Sequence, residues 1–213
     1  MILTTSGTRR STKTIPLLAL IALGAINPDT ARTTTLSSPA INGVRPDTGM
    51  RATASSLNLR ASITDKVIYV QLNDSVVVSY PVAVGMDKHP TPRGSFTIRK
   101  IVWNPAWIPP DAAWARGKKA KPAGHPKNPM KVVKLYFKEP DYYIHGTGDV
   151  ESLGGAASHG CLRMAPEDIA DLARQLMEAG GAAKSDDWYN SALTDKQTRT
   201  IVLPRPISLT IGE

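Results

Sequence analysis

A regular alternation of apolar and polar side chains begins only after about residue 65. From Lys66 to Val84, two runs rich in Val, Ile and Tyr are split at Asn73 and Asp74. This predicts a β-hairpin, because β-branched and aromatic side chains suit a pleated surface while Asn and Asp suit a tight turn. Further strand runs lie at Ser95 to Val102, Val132 to Phe137 and Tyr142 to His145, joined by Pro- and Gly-rich connections. One segment has a strong helical period. It opens at Pro166, followed by Glu167 and Asp168, repeats apolar side chains at Ile169, Leu172, Ala173, Leu176 and Met177, and stops at Gly180 and Gly181. These runs predict a mainly β domain with one amphipathic helix lying on a sheet.

The chain upstream reads differently. Arg9, Arg10 and Lys13 precede a short apolar run, Ile15 to Ile26, with Ala and Gly near its end, which is the build of a secretory signal over residues 1–31. At about 12 residues the run falls short of the roughly 20 that a membrane-spanning helix needs, although an uncleaved signal would act as an anchor. The paired arginines lack the apolar residues that follow them in a twin-arginine signal. Residues 32–60 are rich in Thr, Ser, Ala, Pro and Asn and read as a flexible tether, leaving 61–213 as the folded domain. An exported protein, periplasmic or associated with the cell wall, is expected.

Composition narrows the class. The 213 residues suffice for one ordinary domain with a leader and tether, and 41% apolar against 21% charged residues is the balance of a chain that buries a core. The net charge of +8 is local: residues 93–138 hold eleven Lys and Arg against one acid, Asp111, while 139–213 hold six basic and twelve acidic residues. Such a basic stretch suits an acidic polymer, anionic lipid or nucleic acid, or is a solvated surface. No repeat, heptad run or Gly-rich phosphate loop is present, so nucleotide chemistry has no footing.

The single cysteine, Cys161, excludes an intramolecular disulfide and a multi-cysteine metal site, which leaves the chemistry of a free thiol. Around it the reactive side chains are dense. Tyr143-Ile144-His145-Gly146-Thr147-Gly148 is followed, after a short acidic and Gly-rich loop, by Ala157-Ser158-His159-Gly160-Cys161-Leu162-Arg163-Met164. A thiolate is stabilised by a nearby imidazole, a positive charge or oriented backbone N–H groups, and this cluster supplies all three. Gly160 allows close backbone approach to a ligand, so that the N–H groups around Cys161 can form an oxyanion hole. A nearby imidazole, of a type that titrates near neutral pH, suits a group that takes the thiol proton and returns it to a leaving amine. It is also expected to lower the thiol pKa and make Cys161 reactive near pH 6. His89 and His125 read as ordinary core or surface histidines.

The motifs resemble those of the L,D-transpeptidases with a YkuD-like catalytic domain. Ile144-His145-Gly146-Thr147 and Ser158-His159-Gly160-Cys161-Leu162-Arg163-Met164 match the family signature at the family's separation. Pro90-Thr91-Pro92-Arg93-Gly94-Ser95-Phe96 looks like its Thr-Pro-x-Gly-x-Phe element, and Asn128-Pro129-Met130 like the segment before its central strand. The resemblance covers residues 64–181, and a closing strand at 199–211 is similar to one found in a subset of members.

The resemblance implies a mixed β-sandwich with one helix after the catalytic Cys. It makes Cys161 the nucleophile and His145 the base, with His159, Ser158, Gly160, Gly146 and Thr147 supporting the pocket or the oxyanion. Arg163 and Tyr143 become candidate substrate-binding residues, Arg163 either pairing with a substrate carboxylate or bracing the loop. The implied reaction is acyl transfer from a peptidoglycan tetrapeptide stem through a thioester, without metal or cofactor. The acceptor is a second stem, a wall-anchored lipoprotein or water, and a silent wall-binding module is the alternative. A monomer with no nucleic-acid partner is expected. The long segment from Trp103 to Lys127, with Trp103, Trp107 and Trp114, reads either as a lid over the cleft or as a surface loop packed on the sheet.

Overall fold

The computed structural model describes residues 56–213, so the expected leader and the tether up to residue 55 lie outside the described residues. The domain begins earlier than composition suggests, with strand β1, Leu57–Ser62, whose Leu59 and Ala61 are buried in the core. Three alternating apolar residues, one of them only Ala, are too short a signal to stand out from the Ser and Asn around them. Strands β2, Val67–Leu72, and β3, Ser75–Pro81, form the expected hairpin. Asn73 and Asp74 both take positive φ, 50° and 65°, as a tight two-residue turn of the right twist requires.

The remaining strands are β4 (Val84–Gly85), β5 (Gly94–Trp103), β6 (Lys131–Lys138), β7 (Tyr142–Gly146), β8 (Ala156–Ser158), β9 (Leu162–Met164) and β10 (Arg199–Gly212). Eight of the ten described strands make one mixed sheet in the order β3-β2-β1-β10-β5-β6-β7-β9, and β4 pairs with β8 separately. The long β10 lies at the centre. It pairs with β5 along both its ends and with β1 through its C-terminal half only, and its pairing breaks between Val202 and Ile207. Pro204 and Pro206 lie in that break, where the missing N–H donors interrupt the ladder and let the strand bend.

Helix α1, Pro166–Ala179, follows β9 and buries the five apolar residues that its period predicts. It packs on β6, β7 and β10. Yet the Tyr80 hydroxyl, on the far edge strand β3, donates to Asp171 of the same helix, and Gln175 donates to Tyr80 at 2.8 Å. Both ends of the sheet therefore meet one helix, so the sheet curls around a single core that joins Leu59, Val70 and Ile98 to Leu135, Ile144 and Leu172. The mixed β-sandwich is one curled sheet closed on a helix.

A second helix corrects the expectation of one. Helix α2, Asp186–Thr194, starts at Ser185, whose side chain accepts from Trp188 N, and carries Asp186 and Asp187 in its first turn. Its nine residues bury only Tyr189 and Ala192, too few positions to establish a period, though the cap is legible. Trp188 and Tyr189 meet Trp103 at ring distances of 5.7 and 5.9 Å. Trp103 is therefore core.

Candidate active site

Strands β6, β7 and β9 have two faces of different character. Toward α1 they present Leu135, Ile144 and Leu162, all buried in the main core. The period-2 alternation sends Lys134, Tyr136, Tyr143 and His145 to the other face. Register places Lys134 opposite His145, Tyr136 opposite Tyr143, and Arg163 beside His145. Because Ile144 pairs with Leu162, Cys161, just before β9, falls beside Tyr143. The two sequence motifs thus meet on one sheet face through a parallel pairing.

Two glycines permit this. A Cβ on Gly146 would lie 2.3 Å from the Lys131 carbonyl oxygen, and one on Gly160, at φ 106°, would lie 2.8 Å from the Tyr142 ring. Ser158 ties the turn between them and the thiol. Its buried hydroxyl donates to the Cys161 carbonyl at 2.5 Å and accepts from Gly160 N–H at 3.0 Å. That bond removes the Gly160 N–H from the expected oxyanion role. Thr147 is also engaged: its N–H donates to Met164 O at 2.9 Å, and its hydroxyl accepts from Asp149 N–H at 3.1 Å.

His145 is buried, with Nδ1 2.8 Å from the Gly146 carbonyl oxygen. A carbonyl only accepts, so Nδ1 carries the proton and the Nε2 lone pair remains for the cleft. Burial, reinforced by the positive charges of Arg163 and Lys134, lowers the imidazole pKa to about 3 against the bond to Gly146. The Cys161 thiol donates to Asp141 O at 3.4 Å rather than to an imidazole. Burial raises its pKa to about 11, opposed by hydrogen bonds from Tyr143 and the charges of Lys134 and Arg163. These directions correct the expectation of a thiol made acidic by His145. At neutral pH the resting pair is a neutral thiol with a neutral imidazole, both in one cleft.

The cleft is about 1080 Å³. One wall is aromatic: Trp114 stacks on His159 with ring centroids 4.0 Å apart, Lys118 Nζ lies 4.8 Å from the Trp114 ring, and His89 lies 4.8 Å from His159. His159 has its pKa lowered, first by burial and then by His89, Lys118 and Arg163. Arg163 Nη1 reaches an exposed Asp149 carboxylate at 3.5 Å. Lys127 and Lys131 also line the cleft. The long segment divides between its two readings. Trp103 is buried in the core, whereas Trp107, packed beside Met130 and Tyr143, and Trp114 both line the cleft.

The structure thus brings together His145, Ser158, His159, Cys161, Arg163, Tyr143 and Thr147 around one cleft, with Gly146 and Gly160 shaping its floor. Sequence reasoning missed Lys134, His89 and the Asp141 carbonyl. The signal for Lys134 was present. In the run from Val133 to Phe137 the apolar positions alternate, so Lys134 shares the face opposite to them. His125 caps its own loop, accepting from Lys127 N–H at 3.1 Å, as an ordinary surface histidine does.

Comparison with known proteins adds a lineage. A family model described as the L,D-transpeptidase catalytic domain matches residues 59–201. The L,D-transpeptidase-family protein YkuD of Bacillus subtilis (strain 168) is 33% identical over 116 residues, which cover 54% of this chain and 58% of the relative. YbiS of Escherichia coli (strain K12) is 28% identical over 153 residues, covering 68% of this chain and 49% of the relative. A solved L,D-transpeptidase from Mycobacterium smegmatis is 16% identical with a TM-score of 0.46, covering 75% of this chain and 59% of that one. The chain spans about half the length of the curated relatives it matches.

Proposed function

The chain belongs to the family of L,D-transpeptidase catalytic domains, and we propose that it is a cysteine acyltransferase acting on peptidoglycan tetrapeptide stems, with Cys161 as nucleophile and His145 as base. The observation that carries this reading is the fixed tautomer of His145, whose Nε2 lone pair shares a cleft with the chain's single thiol.

The pKa directions shape the mechanism. A preformed thiolate and imidazolium are both disfavoured, so the thiol proton passes to His145 Nε2 as Cys161 Sγ attacks the carbonyl of the third, diamino-acid residue of the stem. We assign the developing oxyanion to the main-chain N–H of Cys161, since that of Gly160 is held by Ser158. Collapse of the tetrahedral intermediate breaks the bond to the terminal D-alanine, whose nitrogen takes the proton from His145. An imidazolium with a depressed pKa is a strong acid, which suits this step. The product is a thioester on Cys161. An amine then attacks it, His145 takes the amine proton, and the thiol is restored. A second stem as acceptor yields a 3-3 cross-link, a lipoprotein lysine yields a wall-anchored protein, and water yields carboxypeptidase activity.

Charge supports the substrate class. Lys118, Lys127, Lys131 and Arg163 surround the cleft, and stem peptides carry carboxylates. The basic and apolar leader supports export to the compartment where that polymer lies. The test is incubation of the purified full chain with disaccharide tetrapeptide, followed by mass spectrometry. Wild type is expected to give cross-linked dimer or tripeptide, and Cys161→Ala neither, with an unchanged circular dichroism spectrum. Undiminished turnover by Cys161→Ala overturns the assignment.

A further inference from the structure

Lys134 is a buried lysine without a carboxylate. It is 7% exposed and points from β6 to the face that carries the site. Its Nζ lies 4.2 Å from the centroid of the Tyr143 ring and 5.2 Å from that of Tyr136, and donates to the Tyr136 hydroxyl at 3.3 Å. No ion pair among the described residues includes it. Two ring faces and one phenol are weak compensation for an ammonium removed from water, which normally finds an anion when buried. The Lys134 side chain does not line the cleft, so it lies behind the floor rather than against a bound molecule.

Tyr143, whose ring meets Lys134, is also the neighbour of Cys161 across the β7–β9 pairing. The groups facing the thiol are Lys134 and Tyr136 from β6, Tyr143 and His145 from β7, Asp141 from the β6–β7 turn, His159 from the preceding loop and Arg163 from β9. Behind Tyr136, Lys100 of β5 lies 4.1 Å from its ring and is ion-paired with Glu139. Arg163 already has Asp149. Of the two cations whose charge acts on the thiol, Lys134 and Arg163, Lys134 is therefore the one without a carboxylate, and the group that can become its anion is the thiol.

We propose that Lys134 is a positioning residue for the nucleophile, its ammonium serving as the counter-charge of the Cys161 thiolate from beneath the cleft floor. In the resting site the ammonium has no anion. When the thiol proton leaves for His145 Nε2, an ion pair forms that the resting site lacks, and Lys134 keeps its three protons throughout. The mutual pull agrees with the electrostatics: burial lowers the Lys134 pKa, and the charge of Cys161 raises it. The same ammonium disfavours imidazolium at His145, which helps drive the proton onward to the leaving amine. The catalytic consequence rests on the reaction proposed above, whereas the pairing with the thiolate does not.

The test reads the thiol directly. Iodoacetamide alkylation of Cys161 in the full chain is followed from pH 7 to 10.5 for wild type, Lys134→Met and Lys134→Arg. An adjacent opposite charge shifts a pKa by about 1 to 3 units, so Lys134→Met is expected to slow alkylation roughly tenfold or more below the thiol pKa and to move the profile to higher pH. Lys134→Arg, which keeps the charge, is expected to stay within about threefold of wild type. Superimposable profiles for wild type and Lys134→Met overturn the proposal, as does a Lys134→Arg variant as slow as Lys134→Met. Should Lys134→Met fail to fold, Lys134→Gln provides the same comparison. Turnover of the stem peptide is measured in parallel. A shifted alkylation profile with no product from wild type overturns the assigned reaction and leaves the pairing standing, while product formation with unshifted profiles does the reverse.

Discussion

Replacing Ser158 with Ala removes one oxygen and orphans two main-chain groups. The Ser158 hydroxyl is buried, accepts from Gly160 N–H at 3.0 Å and donates to the Cys161 carbonyl at 2.5 Å. A buried polar group left without a partner costs about 1–3 kcal/mol, and Cys161 is only half-buried, so the expected destabilisation is about 2–4 kcal/mol. For a domain of this size, each kcal/mol moves Tm by about 2–4 °C, which puts the expected fall at roughly 4–16 °C. The groups it releases flank the nucleophile, and a misplacement of ~1 Å at a reacting centre can reduce turnover ~100-fold, so kcat should fall more than KM rises. Thermal and urea melts at pH 7 measure the first effect and product formation the second. Ser152→Ala is the control. Its hydroxyl also bonds a carbonyl, Asp149 O at 2.7 Å, but on an exposed turn, and its loss should stay within ~0.5 kcal/mol. If Ser158→Ala is as mild as Ser152→Ala, the turn does not depend on that hydroxyl and the account of how the thiol is held is wrong.

Acid sensitivity should report the burial of His145. Its folded pKa of about 3 lies below the ordinary 6.5, so between those values the unfolded chain holds more protons; stability is complete above about pH 6.5 and falls as pH drops toward 3. Urea midpoints at pH 7 and pH 4 should therefore differ more for wild type than for His145→Gln, and an equal drop in both would mean that the imidazole is not held neutral by the fold. The basic rim of the cleft, Lys118 and Lys127 together with the neighbouring Lys119 and Lys121, should govern attachment to the wall polymer. Changing Lys118, Lys119, Lys121 and Lys127 together to Ser is expected to weaken co-sedimentation with purified sacculi by up to ~1 kcal/mol per exposed contact, with the difference fading at high salt. Equal sedimentation at low salt would make this rim ordinary surface.

Much of this protein was legible in the chain. Local signals are strong where they depend on neighbouring residues: the Asn73-Asp74 turn requires a particular backbone sign, and the 166–181 segment carries its start, period and stop within itself. The candidate pair, His145 and Cys161, stood out because both lie within short motifs whose glycines admit no Cβ, as at Gly146 and Gly160. Elements with few buried positions were not legible, which is why β1 and α2 escaped notice.

Register and burial belong to tertiary structure. The alternation around Lys134 states only that it leaves the apolar face; that it meets Tyr143 there, next to Cys161, is set by strand pairing between β6 and β7 and between β7 and β9. Likewise Trp103, Trp107 and Trp114 look alike in one loop, yet packing puts Trp103 in the core, Trp107 in the cleft wall and Trp114 onto His159. The charge state of the site was misjudged from the sequence for the same reason. Residue types suggested an acidic thiol beside a basic imidazole, but removing both from water penalises their charged forms, raising one pKa and lowering the other, and desolvation is a property of the assembled fold.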